Sequence, residues 1–283
     1  MSPVARVLTH RNPAETRDAM EPLLACAEQA GYTLCFDASE ARKHGLAPRD
    51  GVVRVDEGHD GDVDLCLVLG GDGTILTALR RFARTAVPVF AVNFGEVGFL
   101  ATLEPGEMRD GLVRAFAQDF ERLSLPAVVI DAGDGAHVAI NDVSIHRKVG
   151  ERVALLAYSV EGFEVGAVRC DGLVVATPAG STGYNLANGG PVLAWGVEGY
   201  VVSFIAPHSL TARALVVAPT DRLEVINRSY DGVDVTIDGR PIAELAPGDV
   251  LTARFRHDAA CLAQVPGSSF YRRLREKFGR LSY

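Results

Sequence analysis

The run Val68-Leu-Gly-Gly-Asp-Gly-Thr74 places one carboxylate among three glycines, directly after an apolar segment. Such a segment reads as a buried parallel strand, and the carboxyl end of such a strand is where open α/β sheets place ligand chemistry. Gly70, Gly71 and Gly73 lack the Cβ atoms that would hold a phosphate away from backbone N–H groups. A helix opening behind them turns its N-terminus toward an anion, and Thr74 is expected to cap it. A carboxylate in that setting repels phosphate unless it carries a metal ion or accepts a proton. Asp72 therefore points to phosphoryl transfer, against the plainer reading of a tight βα turn with aspartate as cap. Neither a GxxxxGK[ST] loop nor a GxGxxG fingerprint occurs in the chain.

A second group of residues lies in "INDVSIHR" (140–147) and "CDGLVVATPAGSTGYNLANGGPVL" (170–193). Asn141 offers a donor and an acceptor and Asp142 an acceptor, the pair that vicinal hydroxyls require. The plainer readings, Asn141 as a strand-end turn residue and Tyr184 as a core aromatic with its hydroxyl paired, carry less weight. Arg152 in "KVGERV" reads equally as solvated surface. Asp238 in "TIDGR" reads as a hairpin turn, and His208 in "PHSL" as structural because no acid adjoins it.

The elements that must position these groups fall into two textures. Up to about residue 118, strands alternate with helices. "VARVLTH" ends at Asn12-Pro13-Ala14-Glu15, which suits a helix start with Asn as N-cap, Pro first and Glu third. Met20, Leu23, Leu24 and Ala27 recur at helical spacing, Gly31 is a stop, and Pro22 predicts a kink or restart. "YTLCF" is a strand, and residues 38–62 read as a polar excursion with little core. "VDLCLVLGG", a helix with Ile75, Leu76, Leu79 and Phe82 on one face, "VPVFAV", and a helix opened by Pro105 complete a parallel sheet covered on both faces. From Phe120 onward, short β runs punctuated by Gly, Asp and Asn predict an all-β sandwich domain over 119–265. Residues 266–283 return to helix, with Phe270, Tyr271, Leu274, Phe278 and Leu281 expected on its inner side.

Composition bounds the function. A net charge of −8 over 283 residues argues against coating nucleic acid, which needs a basic surface. There is no apolar run long enough to cross a membrane and no leader pattern, so a soluble cytoplasmic protein is expected. Five scattered cysteines without a CxxC pair read as reduced thiols, and seven histidines without HxxxH or HExxH grouping leave zinc without ligands.

Taken together with "AVNFGEVGFL" (91–100) and "APHSLTARALVV" (206–217), these motifs closely resemble the NAD kinases, in order and over nearly the whole chain. The resemblance implies Mg²⁺-dependent transfer of the ATP γ-phosphate to the 2′-hydroxyl of the adenosine ribose of NAD. It implies an N-terminal α/β domain over 1–118, a C-terminal β-sandwich, and a last segment that returns to the first domain. It also implies a homodimer or homotetramer. Carried over by motif, Asp72 matches the general base, Gly73 its backbone partner at the phosphates, and Asn141 with Asp142 a clamp on the adenosine. Arg152 and Arg169 fall at basic substrate-contacting positions, and Asp171 at the nicotinamide end. Ala179, Thr182, Gly183, Tyr184, Asn185, Leu186 and Ala187 would line the dinucleotide pocket, with Arg240 where a glutamine is common. Gly183-Tyr184-Asn185 replaces Ala-Tyr-Ser, Thr77 replaces a basic residue, and Glu96 adds negative charge near the phosphate end. Two other functions remain open at this stage: a lipid or sphingoid kinase sharing the GGDGT loop, and a dinucleotide sensor without catalysis.

Overall fold

Buried apolar runs separated by amphipathic segments dictate a layered α/β arrangement in the first part of the chain. The computed structural model describes residues 2–56, 58–95, 98–132, 135–267 and 269–279. In chain order the first elements are β1 (Val4–Thr9), α1 (Arg17–Ala30), β2 (Thr33–Asp37), α2 (Ala38–His44), β3 (Val53–Asp56), β4 (Leu65–Leu69), α3 (Asp72–Arg81), β5 (Pro88–Val92) and α4 (Met108–Phe116). The strands form a parallel sheet in the order β3-β2-β1-β4-β5. The chain moves outward from β1 to β3 and then restarts on the other side of β1, so the order reverses between β1 and β4. Ligands of open α/β sheets bind at the carboxyl ends of strands at such a reversal.

Local chemistry accounts for most element ends. The Asn12 side chain accepts from Ala14 N at 3.2 Å, with Pro13 opening a 3₁₀ turn that leads into α1. Gly31 ends α1 at φ 72°. Pro22 neither breaks nor restarts α1, which runs from Arg17 to Ala30; the irregularity lies earlier, in the 3₁₀ turn Pro13–Thr16. Residues 38–62 are not an excursion. Ala41, Val52 and Val53 are buried, and β3 adds an edge strand to β2. The polar residues that hid this segment serve an ion network instead: wholly buried Arg6 meets Asp37, Asp56 and Asp60 at 3.0, 2.9 and 3.0 Å.

The later elements are β6 (Glu121–Ala132), β7 (Gly135–Ala139), β8 (Asp142–Arg147), β9 (Ala154–Val160), β10 (Phe163–Cys170), β11 (Gly172–Ala176), α5 (Tyr184–Ala187), β12 (Tyr200–Ile205), β13 (Leu215–Val217), β14 (Leu223–Asn227), β15 (Val233–Ile237), β16 (Arg240–Leu245), β17 (Val250–Gln264) and α6 (Phe270–Phe278). Two compact units result, one of residues up to Ser124 together with those from Ala260, the other Leu125–Ala259. The break thus falls inside β17, not at residue 265, because Cys261 and Leu262 pair in parallel with β5.

Within the second unit, β13-β12-β11-β8-β15-β16 form one antiparallel sheet, and β10-β9-β14 with the start of β17 form another. Val143, Ile145, Val175 and Val235 from the first sheet and Leu156, Val168, Val225 and Leu251 from the second share one core. That leaves Asp142, Ser144 and His146, the alternate positions of β8, on the opposite face of their sheet. Among the described residues no helix is long and apolar enough to cross a membrane.

Candidate active site

In the first unit the chain leaves β4 at the sheet's reversal point and enters α3 through Gly71, which is the N-cap. Asp72 is the first helical residue and Thr74 lies inside the helix, so the expected Thr74 cap is not made. Thr74 packs instead over Gly70, where a Cβ would sit 2.7 Å from its hydroxyl oxygen. The half-buried Asp72 carboxylate accepts from Phe99 N at 2.9 Å and Leu100 N at 3.1 Å. A Cβ on Gly98 would lie 2.0 Å from Asp72 Oδ1, so glycine there is a condition of this approach. A Cβ on Gly73, by contrast, would meet nothing within 4 Å.

The loop that holds Asp72 is itself held. Arg273 of α6 donates to the carbonyls of Phe99, at 2.7 Å, and of Ala101, and to Gln264 Oε1 at 2.6 Å. Burial pushes this guanidinium below its usual range, with the Asp72 charge acting the other way. Arg273 and Lys277 occupy the inner side of α6 with Phe270, Lys277 lying 4.4 Å over the Phe99 ring. Tyr271, expected there, is exposed, because one residue turns a helix by about 100° away from the Phe270 direction. Leu281 and Glu96 lie outside the described residues. At Thr77, Arg80 from the next turn reaches the hydroxyl at 3.5 Å, bringing a basic group where the expected one is missing. Lys43, at the carboxyl end of β1, binds Glu40 at 2.8 Å and the His10 carbonyl at 3.1 Å.

In the second unit the turn before β8 is fixed from several sides. Thr177 Oγ1 donates to Ile140 O at 2.6 Å and Thr177 N to Asn141 O at 2.9 Å. A Cβ on Gly180 would lie 2.0 Å from Asn141 O. The Asp238 carboxylate accepts from Ile140 N, Asn141 N and Asp142 N at 3.2, 2.8 and 3.0 Å. Asp142 is 7% exposed, and among the described residues its carboxylate has no hydrogen-bond partner. Burial, and then the Asp238 charge, push it up to about 7. Asn141 Oδ1 is likewise buried without a partner.

The Tyr184 ring stacks on His146 at 5.6 Å, and its hydroxyl is pushed up by burial and then by Asp142 and Asp171. His146 bonds Ser144 at 2.9 Å, and Ser144 bonds Thr236 at 2.6 Å. Ala179, Thr182 and Gly183 belong to the 3₁₀ turn and its flanks between Thr177 and α5, and Leu186 and Ala187 continue α5. The amide oxygen of Asn185 is buried without a partner among the described residues. The residue is wholly buried and donates to Ser181 O and Pro191 O, both at 2.9 Å, tying the loop together. Asp171 is engaged by Arg147, 2.6 Å away. Arg152, Arg169 and Arg240 are exposed. Sequence reasoning missed Ser144, His146, Arg147 and Arg273. The first two were visible as polar alternation with Val143 and Ile145 along one strand face.

A glycine-bounded carboxylate at the reversal point of a parallel sheet, with a β-sandwich carrying a recessed Asn-Asp pair, defines a nucleotide phosphotransferase. The comparisons give the family. Residues 8–120 match the ATP-NAD kinase N-terminal domain and residues 140–262 the ATP-NAD kinase C-terminal domain. The chain is 33% identical to an NAD kinase of Gemmatimonas aurantiaca, over 96% of this chain and 94% of the relative. It matches the structure of an NAD kinase from Archaeoglobus fulgidus in complex with ATP, with a TM-score of 0.76 and 25% identity over 98% of each chain. The fold also matches yeast NADH kinase complexed with NADH, at a TM-score of 0.89 and 22% identity over 100% of this chain and 89% of that one. The chain belongs to the ATP-NAD kinase family and is a kinase.

Proposed function

We propose that the protein transfers the γ-phosphoryl group of ATP to the 2′-hydroxyl of the adenosine ribose of NAD, with Asp72 as proton acceptor. The observation that carries this reading is the Asp72 carboxylate, fixed by two backbone N–H groups beside a glycine with open space at its Cβ position. Its oxygens have about four acceptor positions, so two remain for a substrate proton. In the reaction the ribose oxygen forms a bond to the γ-phosphorus, the bond to ADP breaks, and the ribose proton passes to Asp72. Gly73 serves by having no side chain where phosphate oxygens approach the N-terminus of α3.

In the second unit, Asn141 and Asp142 take the adenosine hydroxyls and base. Tyr184 and the loop Ala179–Ala187 close over them, and Asp171 takes the nicotinamide end. Arg152, Arg169 and Arg240 act as exposed cations toward the substrate phosphates. The donor set suits a magnesium ion brought in on the nucleotide: Mg²⁺ binds through one or two carboxylates plus phosphates, and Asp72 is the carboxylate of that loop. When bound, it neutralises charge on the transferring group.

We further infer a cytoplasmic homo-oligomer. β10 is an edge strand with Phe163 and Val165 exposed, a surface that a second copy would cover. Incubation with NAD, ATP and Mg²⁺, followed by chromatography for NADP, tests the reaction. The expected product is NADP, and its absence with every donor tried would overturn the reading.

A further inference from the structure

Asp238 stands at the tip of the β15–β16 hairpin with φ 46°, a left-handed conformation that aspartate tolerates better than most residues. Its carboxylate gathers three successive backbone N–H groups, those of Ile140, Asn141 and Asp142, and its own N–H returns to Asp142 O at 2.9 Å. A simple hairpin turn needs none of these bonds. Their effect is to fix the backbone from which the Asn141 amide and the Asp142 carboxylate project. Asn141 is half-buried with its Oδ1 buried and unpartnered, and Asp142 is buried with no hydrogen bond at its carboxylate among the described residues. A fold does not leave two such polar groups together without cost, so the corner is built for a ligand.

We propose that Asp238 is a positioning residue for dinucleotide recognition: its carboxylate, bound to three successive backbone amides, shapes the Asn141–Asp142 corner and brings a second negative charge to Asp142. The proposal rests on the assignment of Asn141 and Asp142 to dinucleotide binding. The ionisable groups around Asp142 are Asp238 on the hairpin, Tyr184 on α5 with Asp171 beyond it, and His146 on β8 itself. His146 is turned to Ser144 and Tyr184 and faces Asp234. Of these charges, Asp238 is the one that opposes ionisation of Asp142, in addition to burial. An ionised Asp142 accepts from two vicinal hydroxyls, whereas a protonated one has spent part of its acceptor capacity.

The test is calorimetric titration of NAD into the full chain from about pH 5 to about pH 8, a window that spans the ionisation expected of Asp142. In the parent, affinity should rise through this range. Asp238→Asn keeps most of the shape and removes the charge, so the rise should move to lower pH. Asp238→Ala removes all three acceptors and should weaken NAD binding about tenfold or more, with the loss in KM for NAD and not in kcat. Asp142→Asn should abolish the pH dependence. If Asp142→Asn binds as the parent does at every pH, the assignment of the pair fails. If Asp142→Asn flattens the profile but Asp238→Asn keeps the parent's midpoint, the assignment stands and the role of Asp238 is overturned. Asp238→Asn carries this decision alone should Asp238→Ala fail to fold.

Discussion

Asp72 and Asp142 are the same side chain in opposite surroundings. Asp72 opens a helix, is half-buried, and receives two backbone N–H bonds. Asp142 lies in a strand, is buried, receives no bond at its carboxylate among the described residues, and faces a second carboxylate. Burial and a like charge favour the neutral form of Asp142. Two backbone bonds hold the Asp72 carboxylate at a fixed point. The arrangement at Asp142 leaves acceptor capacity unspent. The difference is written in the neighbouring backbone: glycines let amides reach Asp72, while the hairpin at Asp238 takes the amides that Asp142 would otherwise have nearby.

The sharpest way to break the contrast is Asp72→Asn. The amide is nearly isosteric, so the fold and NAD affinity should survive while turnover falls by on the order of 10²–10⁴. Steady-state assay with calorimetry on the same sample checks both halves. Turnover within about threefold of the parent, well short of that range, would remove Asp72 from the chemistry.

The buried partner should show itself through stability. Because the folded-state value of Asp142 is raised from 3.8 to about 7, its protonated form is favoured by folding. The resulting stability is complete below the unfolded value and is lost as pH rises through the folded one. Asp142→Asn, neutral throughout, should therefore gain on the parent between about pH 4 and about pH 7, by on the order of a few kcal/mol, and hold that gain above. Thermal melts across this range decide it. A difference in Tm that does not change with pH would show that Asp142 is ionised when buried.

Two glycines sharpen the comparison from the backbone side. Gly98→Ala places a methyl 2.0 Å from Asp72 Oδ1, and Gly180→Ala one 2.0 Å from Asn141 O. Each forces a shift costing roughly 1–3 kcal/mol. The first should lower kcat with little change in KM for NAD, and the second should raise KM for NAD with a smaller change in kcat. The same kinetic signature from both would mean that the two carboxylates do not act separately.

Why some of this was legible in sequence, and some not, follows from range. The strands Leu65–Leu69 and Pro88–Val92, the cap at Asn12 and the stop at Gly31 are set by nearest neighbours, and the structure has them where the residues place them. α2 and β3 were hidden because their polar residues answer distant ones and not local propensity: Glu40, Lys43 and His44 of α2 reach Thr9, and Asp56 of β3 reaches Arg6. Asp72 and Asn141–Asp142 stood out as motifs. The bonds that hold them were not legible, since each joins distant segments through a backbone atom on one side: Phe99 N and Leu100 N to Asp72, Arg273 to Phe99 O, and Asn141 N to Asp238.

The smallest expected effect separates fold from function most cleanly. Gly73 has no positive φ and is exposed in the first turn of α3, with open space where a Cβ would point. Packing gives no reason for glycine there, and alanine at such a site stabilises by roughly 0.4–1 kcal/mol by restricting the unfolded chain. If the space belongs to the phosphates of the donor, Gly73→Ala should melt higher than the parent and yet show a raised KM for ATP, with KM for NAD unaffected. A variant that is more stable and kinetically equal to the parent would show that the phosphates approach elsewhere, and would leave Asp72 as the only functional residue of its loop.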